Sequence, residues 1–183
     1  MDFMHHVEGI IILNDVGGRV FAKYYITPNM EERGVLNTIE KQRALEMGVH
    51  AAAHDPKRSC STSMDGDIMI HEGHAVLLQV CEDVTLMVIG DASENELVLH
   101  SVLRGLVDAL RQELKMLDLN LRTLLEKYDA LVLTVDELVD EGIILETNPA
   151  NISLDVAPFI AESGGETARK ALNKVNKYLK DNL

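Results

Sequence analysis

The sequence has little of several residues that would otherwise mark its class. Its 183 residues include no tryptophan, three phenylalanines, four tyrosines and two cysteines, and 17 Lys and Arg stand against 30 Asp and Glu. So few cysteines do not make a disulfide framework, and we expect free thiols in a reducing compartment. The net charge of -13 argues against binding nucleic acid through its phosphates and disfavours simple docking on an anionic membrane.

Long apolar runs are also missing. The first run, Ile10–Leu13, has four residues, whereas a membrane-spanning helix needs about 20. The opening MDFMHHVEG is polar, so no signal peptide is expected. We expect one domain with a sizeable aliphatic core over residues 1–161. Residues 162–183, with five bases and three acids, are expected to form a basic tail, either helical or disordered.

Alternating polarity predicts a β-hairpin near the start of the chain. Ile10–Leu13 is typical of a buried strand, Asn14–Gly18 supplies turn residues, and residues 20–25 alternate as strands do. Three further strand candidates follow at residues 68–71, 74–81 and 85–90. The breaks between them are short, which favours antiparallel pairing of consecutive strands.

Apolar residues at three- and four-residue steps predict the helices. The segments with this period are Met30–Ala53, Glu94–Leu117 and Leu121–Val139. Ser93 and Glu96 have the spacing of a capping box, and Asn148 with Pro149 is typical of the start of one more short helix. The order of elements indicates an α+β fold, a five-stranded antiparallel sheet flanked by helices on both faces.

The acidic stretch VDELVDEGIILETNP is the main candidate for chemistry. Asp136 and Asp140 are four residues apart, as are Glu137 and Glu141, which places all four on one helix face. We interpret that face as solvated and Gly142 as the residue that ends the helix. Acids in a last turn oppose the helix dipole, which hints that the face meets a basic partner.

Metal-ligand spacing is weak throughout. His50 and His54 have the i, i+4 spacing of zinc-binding helices, but Ala51 stands where the general-base glutamate would follow. No CxxC pair accompanies them. We therefore expect no metal, cofactor or catalytic residue, and a small enzyme using Asp136 and Glu137 is kept only as an alternative.

Four stretches in one order closely resemble the zeta subunits of the coatomer and, more distantly, the sigma chains of clathrin adaptors. They are IIILNDVGGRVFAKYY, EKQRALE, VIGDASENELVL and VDELVDEGIILETNP, and the resemblance covers roughly residues 9–161. The signature residues within them are Gly17, Gly18, Gly90, Glu94, Asn95, Glu96, Gly142 and Pro149. The resemblance implies a longin-like (SNARE-like) domain, which agrees with the order of elements.

The same resemblance implies a non-catalytic scaffold subunit of the COPI vesicle coat. In that family the zeta chain pairs with the helical-solenoid trunk of the gamma subunit and joins beta and delta in an adaptor-like subcomplex. An Arf GTPase recruits the complex to Golgi membranes for Golgi-to-ER retrograde and intra-Golgi transport. We therefore expect a cytoplasmic chain that is peripheral on Golgi membranes and coated vesicles.

The hairpin, the first long helix and the acidic stretch are expected to carry the partner interface. The residues are Val20, Phe21, Lys23, Tyr25, Arg43, Leu45, Asp136, Glu137, Asp140 and Glu141. Two alternatives stay open, a sigma-type small chain of a clathrin adaptor and a longin subunit of another trafficking complex. A SNARE is disfavoured because only about twenty residues follow Ala161, too few for a heptad helix and an anchor.

Overall fold

The computed structural model describes residues 6–54, 66–115 and 117–160. Its strands are β1 (Val7–Asn14), β2 (Arg19–Tyr24), β3 (Asp67–His71), β4 (His74–Cys81), β5 (Val84–Asp91), β6 (Val139–Asp140) and β7 (Ile143–Ile144). The first five form one antiparallel sheet in the order β2-β1-β5-β4-β3, and β6 pairs with β7. The predicted five-stranded sheet is confirmed, with strand ends within a few residues of those expected.

Helices cover both faces of this sheet, as predicted. They are α1 (Pro28–Glu32), α2 (Ile39–Ala53), α3 (Glu96–Leu114), α4 (Leu121–Glu126), α5 (Tyr128–Leu138) and α6 (residues 149–160). The core splits accordingly into a cluster under α2 and a larger cluster under α3 and α5. Ile10 and Ile12 belong to the larger cluster, and Ile11 and Leu13 belong to the other. A strand buried on both faces reads as a continuous apolar run, which explains the IIIL stretch.

The first hairpin closes through its own side chains. Asn14 Oδ1 accepts the backbone N–H groups of Val16 at 3.2 Å and Gly18 at 2.6 Å, as turn asparagines do. Gly17 has a φ of 78°, a conformation that glycine adopts at little cost. The pairing register shifts between Ile12 and Leu13, so one extra residue on β2 forms a bulge.

The single helix predicted over Met30–Ala53 is instead two helices. Gly34 and Leu36 have φ values of 65° and 51°, and left-handed residues end a right-handed helix. Thr38 then caps α2 by accepting the backbone N–H of Lys41. Ile39, one of the apolar residues of the predicted helix, is 66% exposed.

The helix predicted from Glu94 also differs at both ends. Its N-cap is Asn95, whose side chain accepts the N–H of Leu97 at 3.0 Å. Ser93 hydrogen bonds to Asp91 instead, so the predicted capping box does not form. Lys115 has a φ of 54° and ends the helix, which leaves Leu117 97% exposed and not on the buried stripe.

The helix predicted over Leu121–Val139 is interrupted, and it ends at Leu138 instead of continuing to Gly142. Lys127, with φ -122° and ψ 41°, separates α4 from α5. Glu141 and Gly142, with φ of 47° and 84°, form the two-residue turn of a β-hairpin, where two positive φ values are typical of type I′. Gly142 is therefore a hairpin residue and not a helix terminator.

The start of α6 is confirmed. The side chain of Asn148 accepts the N–H of Ala150 at 3.0 Å, and its carbonyl accepts those of Asn151 and Ile152. Pro149 is the first helical residue, a position where its missing N–H costs nothing. The predicted basic tail lies outside the described residues.

Candidate partner-binding surface

An ion pair joins the edge strand β2 to α5. Lys23 Nζ lies 2.6 Å from Asp136 Oδ1, and the side chains are 35% and 51% exposed. The rings of Phe21 and Tyr128 meet edge to face, with centroids 6.3 Å apart. The hairpin and the acidic stretch, 113 residues apart in sequence, therefore form one surface.

Tyr25 holds the acidic stretch in place by a buried hydrogen bond to its backbone. Its side chain is buried, and its hydroxyl donates to the carbonyl of Val139 at 3.0 Å. Burial raises the pKa of the phenol, and the charges of Asp136 and Asp140 raise it further. The hydroxyl stays protonated at neutral pH and keeps donating this hydrogen bond.

The β6–β7 hairpin lies against the start of β1. Val7 N–H donates to the Gly142 carbonyl at 2.8 Å, and His6 pairs with Ile143 across a β-bridge. A Cβ at Gly142 would overlap the His6 ring and lie 2.8 Å from the Val7 carbonyl. Glycine is therefore needed here for close packing as well as for its positive φ.

The four predicted acidic residues do not share one helix face. Asp136 and Glu137 belong to the last turn of α5, Asp140 to β6, and Glu141 to the hairpin turn. Asp140 and Glu141 are exposed and Glu137 is half-buried. Within the described residues only Asp136 of this set forms an ion pair. Asp136 and Asp140 both lie close enough to Tyr25 for their charges to raise its pKa, so these two acids are on the same side of the molecule, close to the end of β2.

The predicted residues Arg43 and Leu45 lie elsewhere, on α2 across the sheet. Leu45 is 1% exposed and belongs to the core under α2. Arg43 lies 3.6 Å from Glu46 and is 47% exposed. The predicted interface is therefore divided between two faces of the sheet. Phe21, Tyr25 and Leu45 are buried and cannot contact a partner directly; they can only hold the surface residues in position. Val20 is partly buried against the core.

A partly buried polar cluster around Glu46, on the α2 side, was not predicted from the sequence. Arg19 Nε and Nη2 donate to Glu46 Oε1 at 3.0 and 2.6 Å, and the Tyr24 hydroxyl donates to the same oxygen at 2.8 Å. Glu46 is 1% exposed. Burial and the Glu46 charge raise the pKa of Tyr24. Glu46 is the last residue of the motif EKQRALE. That motif was the only feature of the sequence that drew attention to this glutamate.

A second buried pair links β1 to β4. Glu8 Oε2 lies 2.6 Å from His74 Nδ1, and both side chains are buried. The hydrogen bond to Glu8 raises the pKa of His74, against the opposing effect of burial. Cys81, at the opposite end of β4, is also buried, and burial raises the pKa of its thiol to about 11. That thiol is therefore protonated and unreactive at neutral pH.

The remaining signature residues have mainly structural roles. Gly90 lets α3 pack on β5, since a Cβ there would lie 2.8 Å from Leu99. Glu94 accepts the backbone N–H of His6 at 3.1 Å, while Asn95 caps α3. Glu96 is an exposed acid in the first turn of α3, where it favours the helix dipole.

One open groove of about 300 Å³ lies between the β3–β4 edge and the start of α3. Its lining includes Gly66, Ile68, Leu77, Leu97 and His100. None of the predicted interface residues lines it. Across the described ranges, no three His, Cys, Asp or Glu side chains are grouped so as to hold a metal ion. In the same ranges no helix is long and apolar enough to cross a membrane.

Known proteins resemble this chain over most of its length. Residues 6–159 match the family described as clathrin adaptor complex small chain. "Coatomer subunit zeta-1" of Homo sapiens is 35% identical over 154 residues, which cover 84% of this chain and 78% of that protein. "Coatomer subunit zeta" of Saccharomyces cerevisiae is 30% identical over 160 residues, with the same two shares.

A chain in a homology model of the full-length AP-3 complex has the same fold, with a TM-score of 0.60 at 19% identity. The match covers 86% of this chain and 96% of that chain. The chain belongs to the clathrin adaptor small-chain family, on its coatomer zeta branch. It is thus an adaptor-like small subunit of a vesicle coat, as the sequence motifs implied.

Proposed function

We propose that the chain is a non-catalytic scaffold subunit that pairs with the gamma-type large subunit of the coatomer. The membership in the coatomer zeta branch carries the proposal, since its relatives are named as subunits of that coat. Through this pair it joins the beta and delta subunits in the adaptor-like subcomplex. It works in Golgi-to-ER retrograde and intra-Golgi transport, in the cytoplasm and on Golgi membranes, to which an Arf GTPase recruits the complex.

The surface around Lys23 and Asp136 supports one side of the proposed interface. β2 is an edge strand, and an edge offers unpaired backbone groups to another chain. Beside it lie the acids of α5 and the β6–β7 hairpin, among them the exposed Asp140 and Glu141. An acidic surface of this kind suits a basic patch on a helical-repeat partner, where charge sets the association rate and register.

Affinity purification of the full chain from cell extract tests the proposal. We expect recovery with a large helical-repeat subunit, in a complex that buries well over the roughly 1,600 Å² of a standard interface. Recovery of the chain as a lone monomer would contradict the proposal.

Charge reversals locate the interface. Asp140→Lys tests the acidic β2–α5 surface and Arg43→Glu tests the α2 side, and Glu82→Lys, in the exposed turn between β4 and β5, is the control for the first reversal. We expect the first reversal to weaken the heterodimer by about fivefold or more, the size of a rim charge effect, with the control unchanged. Unaltered affinity in both test variants would place the interface elsewhere.

A sigma-type small chain of a clathrin adaptor is the second candidate. The description of the matching family and the fold shared with the AP-3 chain favour it. The identity of the recovered large chain separates the two, because a coatomer subunit or a clathrin adaptor subunit would be found.

A further inference from the structure

The open groove beside α3 has walls of large aliphatic side chains that are exposed. It lies between the edge strand β3 and the start of α3. Ile68 on β3 is 42% exposed and Leu97 on α3 is 78% exposed, and the buried Leu77 of β4 also lines the groove. Ile70, which is 59% exposed, lies on the same face of β3 as Ile68. Apolar side chains that form one contiguous patch mark a contact site, whereas scattered ones need no explanation.

The groove exists because β3 extends beyond the helices that cover this face of the sheet. Ile68 pairs with Leu77 and Ile70 pairs with Ala75, and paired residues point to the same face of a sheet. Leu77 and Ala75 belong to the core under α3, so both isoleucines face the α3 side. Helix α3 packs on β5 and β4, which leaves the isoleucines of the edge strand open to a ligand.

Size and charge define the ligand that would fit this groove. Its volume of about 300 Å³ is at the lower end of the roughly 300 to 1,000 Å³ of small-ligand sites, and its open shape suits a side chain of a peptide. Asp67 and Glu96 are the acidic residues that line it, and among the described residues of the lining none is a lysine or an arginine. A lining of this composition favours a ligand with positive charge.

We propose that the groove binds a short segment of another protein in which a bulky apolar side chain is adjacent to an arginine or a lysine. The apolar side chain packs between Ile68 and Leu97, and the basic residue lies close to Glu96. Grooves lined by apolar side chains bind the anchor residues of peptides in this way. None of the residues predicted to contact the large coat subunit lines the groove, so this binding activity is separate from the proposed heterodimer.

Fluorescence anisotropy with the full chain tests the proposal. The probe is a short labelled peptide with a phenylalanine flanked by arginines in a glycine–serine background. We expect saturable binding that weakens about tenfold or more in Leu97→Ser, because burial of a leucine side chain is worth at least one factor of ten in affinity. Glu96→Gln should weaken binding by about two- to fivefold at low salt and by less at high salt.

The controls separate a specific site from general adhesion. Leu154→Ser is the matched protein variant, since Leu154 is 72% exposed on α6 and does not line the groove, and it should bind the peptide as the unaltered chain does. A peptide with alanine in place of phenylalanine, and another with glutamates in place of arginines, should both bind more weakly. Thermal unfolding of Leu97→Ser should match that of the unaltered chain, because the substituted side chain is exposed.

Four outcomes would overturn the proposal. The first is that the unaltered chain shows no saturable binding of the peptide, and the second is that Leu97→Ser and Leu154→Ser weaken binding equally. Peptide binding that disappears when the large subunit recovered with the chain is added would assign the groove to the coat interface. A dimer of the unaltered chain that dissociates in Leu97→Ser would assign the groove to a second copy of the chain.

Discussion

Strand β2 forms one ion pair on each side of the sheet, and the two pairs differ in burial. Arg19 reaches Glu46 on α2, where the carboxylate is 1% exposed. Lys23 reaches Asp136 on α5, where the carboxylate is 51% exposed. Glu46 also accepts a hydrogen bond from the Tyr24 hydroxyl. The Lys23–Asp136 pair lies at the edge of the acidic surface.

The difference separates a side of the sheet that fixes the fold from a side that presents charge. A buried carboxylate has lost its hydration and depends on its partners, so loss of one partner is costly. When an exposed ion pair breaks, water solvates both charges, so the free energy of unfolding changes little. Lys23 and Asp136 are therefore available to a partner in a way that Arg19 and Glu46 are not.

Removing the buried carboxylate should have the largest effect. In Glu46→Ala, Arg19 and Tyr24 lose their shared acceptor inside the protein, and we expect about 3 to 5 kcal/mol less free energy of unfolding. Denaturant unfolding followed by circular dichroism measures it as a lower midpoint at constant slope. A loss below about 1 kcal/mol, the range of an exposed pair, would mean that Glu46 is hydrated and that the two sides of the sheet are equivalent.

Crowding at the second hairpin should have the next largest effect. Gly142 and Gly73 share a φ of 84°, but a Cβ at Gly142 would overlap His6 while one at Gly73 meets nothing within 4 Å. Gly73→Ala should cost about 1 to 2 kcal/mol through its backbone conformation, and Gly142→Ala about 1 to 3 kcal/mol more through overpacking. Thermal or denaturant unfolding compares them, and equal losses would show that the hairpin is loosely held against β1.

The Glu8–His74 pair is buried, as Glu46 is. It differs in that the protonation of His74 changes the charge of the pair with pH. The pKa of His74 is raised above its ordinary 6.5, first by the hydrogen bond to Glu8 and also by the charges of Glu8, Asp91 and Glu72. A raised pKa adds stability below the unfolded value, and this stability is lost as pH rises through the folded pKa.

His74→Gln should therefore cost about 1.5 to 3 kcal/mol at pH 6, the worth of a hydrogen bond between charged groups. The difference in free energy of unfolding from the unaltered chain should shrink as pH rises above about 6.5. Unfolding curves at several pH values measure it. A difference that stays constant with pH would show that His74 is neutral in the folded protein.

Removing the exposed carboxylate should have the smallest effect on stability. Asp136→Ala is expected to lower the free energy of unfolding by less than about 1 kcal/mol, and by less still in high salt. The same variant should weaken the proposed heterodimer, which affinity measurements at low and high salt would show. A large, salt-independent loss of stability would instead make this pair part of the fold.

Prediction from sequence succeeded where one residue pattern had one structural solution. Ile10–Leu13 required a strand buried on both faces, and Asn148 with Pro149 could start a helix but not continue one. Prediction failed where backbone direction depended on distant contacts. Leu36 and Glu141 adopt positive φ values that their side chains do not favour. Glu141-Gly142 was interpreted as a helix end, although Glu72-Gly73 has the same two residues and nearly the same positive φ values in the β3–β4 turn.

The candidate surface shows the same limit. The acidic stretch and the first hairpin were both singled out, yet their contact through Lys23 and Asp136 is a product of folding. Arg43 and Leu45 were grouped with them although α2 lies across the sheet. Sequence spacing identifies residues that share a face of one element, but it does not determine which elements share a face of the molecule.

The sequence alone determined the family, the five strands of the large sheet and the acidic character of the chain, because motifs, periodicity and charge are local properties. The tertiary structure decided which charges are buried, where Gly142 lies and which residues form one surface. Burial and contact depend on the packing of segments that are distant in sequence. Glu46 and Asp136 are both carboxylates paired with β2, and only their positions under or beside the sheet give them different roles.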